Sequence, residues 1–207
     1  DMERLFGKTV AHIVEGLTKI SSMSRENDIS LQAENFRKLL LTMNDDVRVI
    51  LIKIADRLHN MQTMDSMAEY KQAKIASETL YIYAPIAHRI GLYNIKTELE
   101  DLALKYTDPE RYNSILNKME ESKEEQQEYI EAFTKIVETS LTQQKIDYSI
   151  KGRPKSIYSI YRKMESQGVS FEEVYDKFAI RIIYKSEPAE EKFLAWKIYS
   201  IVTDHFR

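Results

Sequence analysis

Cysteine is absent from the chain, which excludes a disulfide framework and any thiolate-bound metal and fits a reducing compartment. Glycine and proline are scarce, with 5 and 4 among 207 residues. So few breakers, in a chain 43% hydrophobic and 30% charged, point to an ordinary globular protein that is mostly helical. No apolar run approaches the roughly 20 residues needed to cross a bilayer, so no membrane partner is expected. The opening residues DMERLFGK lack the basic-then-apolar build of a secretory signal. An excess of one charge is also missing. The net charge of −3 excludes a chain that binds nucleic acid through its overall field.

What is present organises the chain into helices first and strands last. Val10, Ile13, Val14 and Leu17 recur at helical spacing, and Ser30 can start a helix running through Phe36, Leu39 and Leu40. Asp45 and Asp46 suit the N-terminus of a helix whose apolar face is Val47, Ile50, Leu51, Ile54, Leu58 and Met61. A helical stretch from Met67 to about Tyr83 meets Pro85, which should kink or end it. Gly91 marks a break before a helix from about Ile95 to Tyr106, and Asp108-Pro109 reads as a cap with a first-turn proline. From Pro109 to Gln144 the chain is strongly charged, with EESKEEQQE at its centre, and reads as a solvated helical spacer. Tyr112, Ile115, Met119, Ile130, Phe133 and Ile136 give that spacer something to bury.

The pattern changes near Ile146. Asp147 to Lys151 alternates polar and apolar, as a half-buried strand does. A helix from about Lys155 to Ser166 follows, then Gly168. The β-branched and aromatic run from Phe178 to Tyr184 predicts a more deeply buried strand, and a last helix spans about Ala189 to Phe206. Strand, helix, strand, helix opens an α/β or α+β domain. Two strands alone make a poor sheet, so this second domain reads as truncated. The expected fold is mainly α: a helical domain over 1–107, a helical spacer over 108–145, and the beginning of an α/β domain over 146–207.

Two clusters carry chemistry. Asp56 and Asn60 stand four apart and share a helix face, with Thr63 about one turn further. A carboxylate beside Ile54, Leu58 and Met61 needs a partner or a cation. On spacing alone an exposed helix with a salt bridge explains it, since one Asp and His59 do not make a metal site. The second cluster is Lys151, Arg153, Lys155, Arg162 and Lys163, with no acidic residue among them and with Tyr158 and Tyr161 interleaved. Taken alone, an ordinary solvated helix face explains it slightly better than a nucleotide or single-strand site. Lys155, Ser159 and Lys163 are spaced by four, however, and a positive ridge at a helix start suits a polyphosphate. Asp176 could simply be a turn residue before the strand, and Arg181 could reach phosphate or form a core-edge salt bridge.

The wording of these segments resembles a known family. ADRLHNMQT, with GKTVAHIVEGLTKI, QAENFRKLLL, VRVILIKIADRLHNM and ETLYIYAPIAHRIGLYNIKTELEDLA around it, is similar to the hydrolase domain of RelA/SpoT-type alarmone enzymes, an HD-type domain. GRPKSIYSIYRKM and VYDKFAIRIIY resemble the opening of their (p)ppGpp synthetase domain, which has a nucleotidyltransferase-like α/β fold. The resemblance implies a manganese ion on Asp56, with Asn60 and Thr63 contacting the nucleotide, and hydrolysis of ppGpp to GDP and pyrophosphate. It implies that Arg153 stacks on the adenine of ATP and that Lys155, Ser159 and Lys163 hold its phosphates. Asp176 would be the catalytic ligand of magnesium in pyrophosphate transfer to the 3′ hydroxyl of GDP or GTP.

The nucleotides implied are ppGpp and pppGpp, GDP and GTP, and ATP, and the implied location is the cytoplasm. The family's other hydrolase ligands would precede Asp1, and its guanosine-stacking Tyr and catalytic Glu would follow Arg207, so both sites are expected to be incomplete in this chain. His59 is expected to make a structural hydrogen bond, and His12 to be no substitute ligand. Ser156 and Lys177 stand where relatives often carry a His and an apolar residue; a Lys177 amine turned inward would weaken metal binding at Asp176. The segment Ser21 to Ile29 is expected to be a switch element. Two other readings compete: a hydrolase with a degenerate synthetase portion, and a non-catalytic nucleotide-binding module. Nucleic-acid binding through Lys151 to Lys163 is the weakest option, and the sequence sets no oligomeric state.

Overall fold

A computed structural model describes residues 1–23 and 46–206. The helix expected from Ser30, Asp45 and residues 24–29 of the expected switch segment lie outside the described residues. The chain divides into two compact units, Asp1–Pro109 and Glu110–Arg207.

The first unit is all helical. Helix α1 (Met2–Met23) has a kink at Gly7, and α2 (Val47–Gln62) follows the undescribed stretch. Asp46 caps α2 as expected: its extended backbone leaves the helix while its carboxylate accepts the Arg48 N–H at 2.9 Å. The buried face of α2 is Val49, Ile50, Ile54 and Met61. Val47 and Leu51, expected in that stripe, are exposed. Val47 is the first residue of the helix, and Leu51 lies about 100° around the axis from Ile50, outside a narrow packed stripe.

A 3-10 turn (Met64–Ser66) leads to α3 (Glu69–Glu78), a π-helical turn (Thr79–Tyr83) and α4 (Ala84–Arg89). Pro85 was expected to kink or end this stretch, yet the chain stays helical to Arg89. The widened turn before it, with the Ala84 N–H bonded to the Thr79 carbonyl, re-pairs the ladder one residue before the proline that has no donor. Gly91 then breaks the helix at a φ of +81°, a conformation open to glycine without Cβ strain. Helix α5 (Tyr93–Thr107) completes the unit, adding Leu99 and Ala103 to a core shared with Ile50, Ile54, Met61, Met64 and Ile86.

The second unit begins with α6 (Pro109–Glu121) and α7 (Lys123–Gln143), formed by the stretch expected as a spacer. Ile115 is buried as expected, but Ile136 is 43% exposed and the fully buried residues of α7 are Val137 and Leu141. Ile130 and Phe133 pack as expected, and beyond them the stripe of α7 runs through Val137 and Leu141 rather than Ile136. Strand β1 (Tyr148–Pro154), α8 (Ile157–Gln167), β2 (Phe178–Tyr184) and α9 (Glu191–His205) complete the unit. The two strands pair antiparallel, with Tyr148 opposite Tyr184 and Pro154 opposite Phe178. One face, including Ile150 and Ile182, packs on Val137, Leu141, Ile146 and Ile198. Strand β2 was expected to be deeply buried and is only half-buried, because a two-stranded sheet covered on one face exposes every second residue. Gly152 marks the closest approach of β1 to α7: a Cβ there would stand 2.7 Å from Cγ2 of Ile130.

Candidate functional site

On α2 the i, i+4 spacing places Asp56 and Asn60 together. The Asn60 amide donates to Oδ1 of Asp56 at 3.4 Å, and the Lys53 amine lies 3.7 Å from Oδ2. Thr63 ends the helix; its N–H and hydroxyl both turn back to the His59 carbonyl, the latter at 2.9 Å. All three residues are exposed. The His59 ring is exposed too, and the structural hydrogen bond expected for it is not found among the described residues.

Sequence reasoning passed over Arg57. Its side chain is 12% exposed and pairs at 3.2 Å with Glu78, itself 15% exposed, while the guanidinium lies 4.1 Å from the centre of the Tyr83 ring. The signal was available: position 57 falls in line with Ile50, Ile54 and Met61, and an arginine on a buried stripe requires a partner. This clamp ties α2 to α3 and the π-helical turn, while Asp56 and Asn60 stay exposed.

In the second unit three expected residues converge from separate places. Lys155 follows β1, Lys163 sits on α8, and Asp176 precedes β2; both amines bond the same carboxylate oxygen, Oδ2 of Asp176. Hydrogen bonds from Lys155 and then Lys163 hold the Asp176 carboxyl down at about 2. Lys155 was expected on one helical ridge with Ser159 and Lys163. Instead it lies before the N-cap, and its N–H donates to the Lys177 carbonyl at 2.8 Å. Ser156 is the cap: its hydroxyl accepts the Ser159 N–H at 3.2 Å and donates to the Ser159 hydroxyl at 2.8 Å. Ser159 thus joins the cap rather than the lysines. Lys177 turns away from Asp176, its amine 4.5 Å from the centre of the Phe171 ring.

Arg153 projects from the other face of β1, exposed and with no ion pair among the described residues. The register adds what the sequence alone does not give: Lys151 stands directly opposite Arg181 on that same outward face. The core-edge salt bridge offered for Arg181 is absent among the described residues. Chemically, this is one anion held by two cations beside a helix start, next to a sheet face bearing three further cations. Such a surface takes a polyanion.

The HD domain family matches residues 1–93, and the family described as a region found in RelA / SpoT proteins matches residues 152–206. A GTP pyrophosphokinase of Myxococcus xanthus is 45% identical over 91% of this chain and 25% of that protein. A bifunctional (p)ppGpp synthase/hydrolase SpoT of Escherichia coli is 43% identical over 88% of this chain and 26% of that protein. A probable guanosine-3′,5′-bis(diphosphate) 3′-pyrophosphohydrolase of Synechocystis is 42% identical over the whole chain and 27% of that protein. Over nearly its whole length the chain is similar to RelA/SpoT-type proteins. It spans about a quarter of the length of these relatives.

RelA/SpoT-type catalysis implies metal ions, and the two units fit them differently. Among the described residues no group of three or more His, Cys, Asp or Glu could hold a metal. Asp56, with an amide and an amine as neighbours, is one hard donor among the described residues towards manganese, an ion that needs several. Asp176 does fit magnesium, which commonly takes one or two carboxylates and completes its shell with water and substrate phosphates. Among the described residues, no helix is long and apolar enough to cross a membrane.

Proposed function

We propose that residues 146–207 supply the ATP side of a (p)ppGpp synthetase, and that residues 1–107 are part of a (p)ppGpp hydrolase. The observation that carries the first reading is the convergence of Lys155 and Lys163 on Asp176 within the stretch that matches the RelA/SpoT region. Lys155 and Lys163 exchange Asp176 for the β- and γ-phosphates of ATP, with the Ser159 hydroxyl at the same helix start as a further contact. Arg153, on the outer sheet face, lies along the adenine, and Arg181 adds positive charge beside it. Asp176 is freed by that exchange to hold magnesium, which when bound offsets the charge on the transferring pyrophosphoryl group. The acceptor is the 3′ hydroxyl of GDP or GTP.

For the first unit the reading is coarser. Asn60 and Thr63 contact ppGpp or pppGpp, and Asp56 is a single donor towards manganese; no step is assigned to it. The activities named for the relatives and the HD domain match support this reading. The location proposed is the cytoplasm.

Calorimetric titration with magnesium-ATP tests the synthetase reading. Lys163→Met and Lys155→Met each should weaken binding by about tenfold or more, the scale of a charge-assisted contact to phosphate. Binding unchanged by both substitutions would reject the site.

A further inference from the structure

Asp176 stands near the end of a short turn, 170–177, that is fastened by groups other than Lys155 and Lys163. Within the turn, Ser170 N–H donates to the Glu173 carboxylate at 2.8 Å, and Val174 N–H donates to the Phe171 carbonyl at 3.2 Å. Phe171 and Val174 are buried. Two ammonium groups lie near the Phe171 ring: Lys177 from the turn itself, and Lys118 from α6 with its amine 5.6 Å from the ring centre. The Lys118 amine also meets the Glu172 carboxylate at 2.5 Å. That contact, first among its causes, holds the Glu172 carboxyl below the usual range. Lys118 therefore grips the turn twice, through an ion pair and through a ring, from 54 positions away.

We propose that Lys118 is a positioning residue for Asp176: helix α6 sets the turn that presents this carboxylate to Lys155 and Lys163. The proposal rests on the reading of that cluster as a magnesium-ATP site. Lys118 touches none of the three side chains and acts through Glu172 and Phe171. Its role is separable from folding for two reasons. The Lys118 and Glu172 side chains are 38% and 64% exposed, and a pair so solvated contributes little to stability. Helix α6 also keeps a second tie to α8 through Arg111 and Glu165, and Ile115 remains buried.

The test is calorimetric binding of magnesium-ATP to the full protein, with thermal unfolding alongside. Lys118→Glu and Glu172→Lys each should weaken binding by about two- to fivefold, the range one solvated ion pair can transmit. The double swap, Lys118→Glu with Glu172→Lys, should recover it, and melting midpoints should stay close to that of the unaltered protein. Lys118→Met, which keeps an apolar stem over Phe171, provides a second probe and should show a comparable loss.

The direction of the Glu172→Lys effect separates positioning from simple attraction. This variant adds positive charge four residues from Asp176, so through-space electrostatics alone would tighten a polyanion, whereas a displaced turn loosens it. Tightening by Glu172→Lys, unchanged binding in both single variants, or no recovery in the swap would overturn the proposal. Asp176→Asn serves as the reference. If magnesium raises the ATP affinity of this variant as much as that of the unaltered protein, the site reading fails and takes this inference with it. If that magnesium gain is lost while the Lys118 variants bind magnesium-ATP normally, only the positioning role fails.

Discussion

Replacing Asp176 with asparagine separates what its carboxylate does for two lysines from what it does for a ligand. One oxygen accepts from both Lys155 and Lys163, and those bonds hold the carboxyl down at about 2, so at neutral pH a single anion restrains two cations. The side chains are 26%, 35% and 46% exposed for Lys155, Lys163 and Asp176, so each link is solvated. Links of this kind contribute about 0.2 to 1 kcal/mol each. Two of them therefore set the barrier a metal-free polyphosphate must overcome to claim the amines, about 0.4 to 2 kcal/mol in all. Asp176→Asn should remove that competitor and tighten binding of inorganic triphosphate, in the presence of a chelator, by about two- to thirtyfold. It should at the same time abolish the extra affinity that magnesium confers on ATP. Calorimetry with and without magnesium measures both. Weaker metal-free binding in the variant would mean that Asp176 orders the lysines rather than competing for them, and would refute the exchange.

Two further outcomes follow from the packing. The Tyr106 hydroxyl donates to Asp65 at 2.8 Å, and burial first, then this bond, push its phenol up to about 12 from the usual 10.0. A raised acid stabilises the fold below its unfolded value, so this contribution is present up to about pH 10 and is lost as pH rises through about 12. An alkaline absorbance titration in which Tyr106→Phe removes a phenol ionising near 10 would contradict it. Gly152→Ala would drive a methyl to 2.7 Å from Ile130 and should destabilise the second unit by about 1 to 3 kcal/mol. Adding Ile130→Ala should restore part of that loss in thermal unfolding; an unchanged midpoint in the single variant would show that α7 yields freely.

Local chemistry was legible in the sequence, and long-range pairing was not. The span of β2, the cap at Asp46, the stop at Gly168 and the shared face of Asp56 and Asn60 follow from short-range rules and stand in the structure. The misplaced stripes on α2 and α7 arise because an apolar residue at the edge of a helical face gives the same periodic signal as one at its centre. The π turn before Pro85 replaces a break with a wider loop of the same helix: the ladder is paired through the Ala84 N–H just before the residue that has no donor, while Tyr83 and Ile86 stay in the core. Lys155 meets Lys163 at Asp176 rather than on a helical ridge with Ser159, because the residue after β1 and the residue before β2 are brought together by strand pairing.

The register of the sheet also changes how the basic motif reads. In sequence, Lys151, Arg153 and Lys155 are three cations at alternate positions, and Arg181 lies in another segment. Pairing sets Lys151 directly across from Arg181 and Arg153 across from Ala179, all on the exposed face. Like charges opposed across a sheet are unfavourable, and no ion pair relieves these among the described residues. The unit does not lack acid, since Glu172 and Glu165 already pair with Lys118 and Arg111 of α6. Those two carboxylates face α6, Asp147 pairs with Lys185 and Asp176 with Lys155 and Lys163, so among the described residues no carboxylate pairs with the outer-face cations. The pleat explains how this is possible: alternate residues point inward to Ile130, Val137 and Leu141, so the apolar packing of β1 is satisfied without the lysine and arginine positions. Core packing therefore sets no constraint on those outward positions, and an anion lying on that face would relieve the repulsion between Lys151 and Arg181 as it binds.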